Sequence, residues 1–127
     1  MTTYTLSLPY GQRLPLTSNQ ARSGTHYYTQ NSLKRGVHED VAVLVAAHRV
    51  PPLPGADLDL TWQLPNRVRR DVDGMGWLLK ACSDALVRAG VLPDDDWRYV
   101  RCTTMRVIPP VRGEAGAMTL TITEAYR

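Results

Sequence analysis

The stretch DLDLTWQLPNRVRRDVDGMGWLLKACSDALVRA, residues 57–89, holds a strand, a charged turn and a helix in one run. Leu58, Leu60, Trp62 and Leu64 alternate with Asp57, Asp59, Thr61 and Gln63. A period of two sends the apolar set to one face of a strand and the polar set to the other. Pro65-Asn66 then turns the chain. Met75, Leu78, Leu79, Cys82, Leu86 and Ala89 recur at helical spacing, which predicts a helix over about residues 74–89. Trp77, Lys80, Asp84 and Arg88 fall on its other side. Gly90 suits a C-cap, and Pro93 bars the helix from resuming.

Outward from this unit the pattern repeats. Upstream, Tyr-Thr-Leu-Ser-Leu at 4–8 alternates as a first strand stopped by Pro9. A polar loop is expected over 9–30, carrying Arg13, Arg22, His26, Tyr27 and Tyr28; arginines with tyrosines can grip a nucleic-acid backbone and stack on bases. The plain alternative is a solvated loop. Asn31 or Ser32 can cap a helix to about residue 48, with Val37, Val41, Leu44, Val45 and His48 on one face. Pro51-Pro52-Leu53-Pro54-Gly55 ends it. Downstream, 98–107 alternates as a third strand, and Met118, Leu120 and Ile122 mark a fourth that should form a hairpin with it. The expected order is β-α-β-α-β-β. It predicts an α/β (α+β) fold in one small domain over 1–127, a mixed four-stranded sheet with two helices mainly on one face.

At 127 residues the chain is long enough for one core and too short for two. No apolar run reaches the roughly 20 residues that cross a bilayer, and the N-terminus lacks a secretion pattern, so no membrane association and a cytoplasmic location are expected. Cys82 and Cys102 sit among apolar neighbours and read as buried, reduced thiols. The net charge of +3 leans weakly toward polyanionic partners. Thirteen of the fifteen bases are Arg, so Lys34 and Lys80 stand out as departures from the default. Arg offers phosphate a planar donor fork, whereas Lys is a compact charge.

The turn between strand and helix carries the chemistry. Arg67, Arg69 and Arg70 suit phosphate. Asp71 and Asp73, two apart, would point the same way on extended chain and could share a hard cation such as Mg²⁺ or Mn²⁺. A third carboxylate from Asp94-Asp95-Asp96 could complete the set. A helix of about 16 residues is about 24 Å long, so the loop after Gly90 must return along it, or a second chain must supply that acid. Two plainer readings stay open: Asp71 paired with Arg69 or Arg70, and Lys80 in an i, i+4 pair with Asp84, itself i, i+4 from Arg88. A calcium loop starting at Asp71 fails, because Cys82 stands where a bidentate Glu is needed.

Three linked pieces, Arg-Arg-Asp71-Val-Asp73, Lys80-Ala-Cys-Ser-Asp84-Ala-Leu and Ala-Gly90-Val-Leu-Pro-Asp94-Asp95-Asp, resemble the RusA family of Holliday junction resolvases. The resemblance covers about a quarter of the chain. It implies a homodimeric, Mg²⁺-dependent endonuclease (Mn²⁺ can substitute) that resolves four-way DNA junctions by paired symmetric nicks. It further implies Asp71, Asp73 and Asp95 as metal ligands, Lys80 as a catalytic residue, and Arg67, Arg69 and Arg70 as contacts to branched DNA. The chain departs from the family pattern where Gly74 replaces a typical Asn and Lys80 lies seven residues after Asp73 instead of four. A branched-DNA-binding protein without cleavage, or an unrelated interaction module, are the alternatives.

Overall fold

The computed structural model describes residues 2–24 and 26–125. Four strands, β1 (Thr3–Leu8), β2 (Ala56–Gln63), β3 (Val100–Ile108) and β4 (Ala117–Glu124), form one mixed sheet in the order β1-β4-β2-β3. β4 is antiparallel to both β1 and β2, and β3 is parallel to β2. β1, β2 and β3 therefore run the same way, and their carboxyl ends share one edge of the molecule. Helix α2 (Tyr27–Ala47) returns the chain from β1 to β2, and α3 (Gly76–Arg88) returns it from β2 to β3. A short helix α1 (Ser18–Arg22) and a 3₁₀ turn (Val72–Met75) lie in the two connections at the carboxyl ends.

The alternation in β2 does what its period dictates. Ala56, Leu58, Leu60 and Trp62 are buried beside Met118, Leu120 and Ile122 of β4 and Leu6 and Leu8 of β1. Val37, Val41 and Val45 of α2 and Leu78, Leu79, Cys82 and Leu86 of α3 close over this face. The opposite face is polar. Thr119, Thr121 and Thr123 flank Asp57, Asp59 and Thr61 there, and Asp57 and Asp59 pair with Arg101 and Arg106 at 2.7 and 3.3 Å.

Three expectations are corrected. β3 and β4 do not form a hairpin: they lie on opposite sides of β2. β4 buries three large apolar residues and takes an interior position, whereas β3 has no buried residue and takes the edge. The α2 helix begins at Tyr27, not at Asn31 or Ser32, capped by His26, whose Nδ1 accepts the Tyr28 N–H at 3.2 Å. Its first buried residue is Val37, so its opening turns carry no core signal. Cys102 is exposed on the edge strand. Cys82 is buried, and burial pushes its thiol up to about 12, leaving it unreactive near neutrality.

Candidate functional site

The chain leaves β2 through Pro65 and enters a tight loop. Asn66 Oδ1 accepts the Val68 N–H at 3.1 Å, an Asx-type turn. Arg70 folds back over this loop. Its guanidinium donates to Asn66 O (3.2 Å), Val68 O (2.9 Å) and Asn66 Oδ1 (2.8 Å), and lies 5.2 Å above the Trp62 ring. Trp62 is itself tied down, its Nε1–H donating to Gly11 O at 2.8 Å. Arg70 is thus spent on holding its own loop. Arg67 and Arg69 are exposed, and their side chains have no hydrogen bond or ion pair among the described residues.

Asp71 has extended backbone (φ −93°, ψ 135°), but the 3₁₀ turn starts at the next residue, closed by Gly74 N–H donating to Asp71 O at 3.1 Å. The premise that Asp71 and Asp73 sit on one extended strand therefore fails. They still share a cavity of about 640 Å³, with Arg69, Arg70 and Gly74 on the same side. Neither carboxylate has a hydrogen-bond or ion-pair partner among the described residues. The expected pairing of Asp71 with Arg69 or Arg70 is absent.

The facing wall comes from 9–24, expected as a polar loop. Leu14 and Leu16 are buried and anchor it. Thr17 and Gln20 form a reciprocal capping box that starts α1. Ser18 then joins the two walls: its hydroxyl donates to Asp73 O at 3.2 Å and accepts the Trp77 N–H at 2.9 Å. Met75, at the α3 cap position, offers no side-chain cap, so Ser18 satisfies one orphan donor of α3 from another segment. This close approach crowds Gly76 and leaves room at Gly74. A Cβ on Gly76 would lie 3.0 Å from Ser18 Oγ, and one on Gly74 would lie 4.0 Å from Thr17 Cβ. The α-helix begins at Gly76, so the longer spacing is taken up by the 3₁₀ turn.

Lys80 bonds to two acids, Asp84 and Asp95, that line a second concavity, of about 530 Å³, between α2 and the loop after α3. Its Nζ is 3.1 Å from Asp84 and 2.5 Å from Asp95. Lys34 reaches the other Asp84 oxygen at 3.0 Å. The only two lysines of the chain thus converge on one carboxylate. The expected Lys80–Asp84 pair is present; Asp84 pairs with the lysines and not with Arg88. The hydrogen bond to Asp95 raises the Lys80 pKa against the opposing effect of burial, and Asp84 adds to the rise. Burial works against the charge on Asp84, but its bonds to Lys34 and Lys80 outweigh that and leave it below its usual value.

The three neighbouring aspartates have separate tasks. Asp94 Oδ1 accepts the Asp95 N–H at 2.8 Å, Asp95 binds Lys80, and Asp96 pairs with Arg98 at 2.7 Å. The loop after Gly90 does return along the helix, far enough to meet Lys80. It does not assemble the expected three-aspartate set: among the described residues no three His, Cys, Asp or Glu side chains cluster to hold a metal ion. What fits a hard cation is the Asp71–Asp73 pair, which offers only oxygen donors and is not engaged by the nearby arginines.

The sequence singled out Lys80, Asp95 and the Arg67–Asp73 turn as candidates, but did not place Arg13, Arg22 or Ser18 beside that turn, or Lys34 beside Lys80. The rarity of lysine was the one signal pointing to Lys34.

No family model matches the chain, and no curated protein matches it. Among solved structures, the chain is similar to the hydrogenase maturation protein HypE in complex with ATP, at 15% identity, TM-score 0.35, over 98% of this chain and 30% of that one. A second HypE structure matches at 14% identity, TM-score 0.30, over 98% and 32%. The chain spans about a third of the structures it matches. No helix among the described residues is long and apolar enough to cross a membrane.

Proposed function

We propose that this chain is a Mg²⁺-dependent, structure-selective endonuclease that cuts four-way DNA junctions by paired nicks, as its resemblance to the RusA family implies. The observation that carries this reading is the cavity at the carboxyl ends of the strands. There two carboxylates, Asp71 and Asp73, face arginines with which neither is paired. Such a site wants both a hard cation and a phosphate ester. Mg²⁺ or Mn²⁺ held by Asp71 and Asp73 would supply a Lewis acid and a water of lowered pKa. The resemblance adds Asp95 as third ligand; its carboxylate is held by Lys80 here.

The residues of the chain divide the remaining work. Arg67 and Arg69 hold backbone phosphates without reading bases. Lys80 is kept protonated by Asp95 and Asp84. The resemblance makes Lys80 a catalytic residue, which would stabilise negative charge building on the phosphate or protonate the leaving 3′ oxygen. Two symmetric nicks require two sites, which a C2 homodimer supplies. Its setting is the cytoplasm of a bacterial or phage-infected cell.

A second reading, branched-DNA binding without cleavage, is favoured by one observation: Asp95 stands apart from the Asp71–Asp73 cavity. Incubation of a four-way junction and a linear duplex with the protein, in Mg²⁺ and in EDTA, separates the two. Nicking of the junction only in Mg²⁺ is the expected result. Tight junction binding with no cut in Mg²⁺ or Mn²⁺ would select the second reading, and binding to neither DNA would remove both.

A further inference from the structure

Four arginines surround the Asp71–Asp73 cavity, and two of them, Arg13 and Arg22, come from the opposite wall. Both are exposed, and their side chains have no hydrogen bond or ion pair among the described residues. They share the cavity with Asp71 and Asp73 without pairing to either. A guanidinium left unpaired beside free carboxylates has open space between itself and them, here about 640 Å³, within the range of ligand sites.

The wall that presents them is fixed. Gly11 accepts from Trp62 and approaches Gly116 so closely that a Cβ on Gly11 would lie 2.3 Å from Gly116 O. Leu14 and Leu16 are buried, and Ser18 bonds both Asp73 and Trp77. Arg13 and Arg22 therefore leave a platform that is pinned to the same turn as the carboxylates. With Arg69 on the other wall, three uncommitted arginines line one space, each with a planar donor fork to offer.

We propose that Arg13 and Arg22 form, with Arg69, a clamp for the phosphodiester backbone, gripping the strand that passes over the Asp71–Asp73 pair. The clamp rests on the reading that the ligand is DNA; the shared chemistry is a phosphate ester, which a free nucleotide also offers. Asn19 and Gln20, exposed on the same wall, add neutral polar groups within the cavity. The five-residue helix that carries them is structural support; the recognition belongs to the arginine side chains.

The experiment is binding of the full chain to a labelled four-way junction in EDTA, so that no turnover intervenes, between 50 and 200 mM salt (roughly the range over which counterion release is read). Wild type is compared with Arg13→Ala/Arg22→Ala, with the Lys pair Arg13→Lys/Arg22→Lys, and with Ser18→Ala. Each arginine that touches a phosphate contributes about 0.9 to the slope of log affinity against log salt. The Ala pair should lower the slope by about 1.8 by that relation, the Lys pair should restore most of it, and Ser18→Ala should weaken binding with the slope kept. An Ala pair whose slope and affinity match wild type overturns the clamp. If wild type binds no DNA, the nuclease reading fails separately, and calorimetry with a deoxynucleoside monophosphate decides the clamp. Binding that the Ala pair loses upholds a phosphate-ester site; no binding, or binding that the Ala pair keeps, overturns it.

Discussion

Two charged regions of this molecule set bases against aspartates to opposite ends. In the cavity at the carboxyl ends, Arg13, Arg22 and Arg69 face Asp71 and Asp73 with no bond among them. In the knot between α2 and α3, Lys34, Lys80, Asp84 and Asp95 are linked in a chain of contacts between 2.5 and 3.1 Å. The difference lies in what holds each set. The knot's groups sit on helix faces and a returning loop, where flexible lysine stems can reach their partners. The cavity's groups come from two walls fixed in place by Ser18, which joins them, by buried leucines and by the Trp62–Gly11 bond. Charge that cannot collapse onto itself is available to a ligand. Charge already neutralised is suited to positioning.

The sharpest division runs through the arginine run itself. Arg70→Ala removes three hydrogen bonds and the stacking over Trp62. It should cost about 1–2 kcal/mol of stability, given that bonds on a partly exposed side chain contribute about 0.5 kcal/mol net each. Arg69→Ala touches none of these contacts and should leave the denaturation midpoint unchanged while weakening junction binding. Chemical denaturation and DNA titration of both variants check this. Equal stability loss in the two would erase the distinction between a loop-holding and a ligand-facing arginine.

A smaller effect belongs to the knot. His38 lines the same concavity, and its Nε2 is buried without a hydrogen-bond partner among the described residues. Burial, and then Arg88 and Lys34, push its pKa below the ordinary 6.5, while Asp84 pulls it up. The unfolded chain therefore takes up a proton near pH 6.5 that the folded chain resists, so stability falls as pH drops through and below that value. His38→Leu should lose this part of the fall. Midpoints measured at neutral and mildly acidic pH for both proteins test it; parallel curves would mean His38 titrates as it does in the unfolded chain.

These features were unequally visible in the sequence. The β2–turn–α3 unit was plain, because burial on one face imposes period two and then period 3.6 on consecutive residues. The β3–β4 pairing was misread because neighbours in sequence are the default partners, and nothing in the alternation says that β4 crosses to the far side of β2. The α1 segment buries none of its five residues, so it left no periodic trace. Asp71 and Asp73 were found by their spacing, yet the geometry assumed for them was wrong, since the 3₁₀ turn begins between them. Lys80 stood out through the rarity of lysine, and Asp95 was selected from three neighbouring acids only through a family resemblance, as a partner of Asp71 and Asp73; the structure instead pairs it with Lys80 at 2.5 Å. Arg13 and Arg22 were visible as loop arginines, but their place beside Asp73 depends on a fold-back fastened by the Ser18–Asp73 bond, which spans 55 residues of sequence.

The central claim, that the uncommitted carboxylates form a cation-dependent cutting site, is tested most directly by Asp73→Asn assayed for nicking of a four-way junction in Mg²⁺. The substitution keeps shape and removes charge from an exposed side chain, so folding should be unaffected. The expected result is a fall in nicking of about 100-fold or more, the usual size for losing one charge-stabilising group, with junction binding in EDTA retained. Nicking at the wild-type rate by a folded Asp73→Asn protein would contradict the claim.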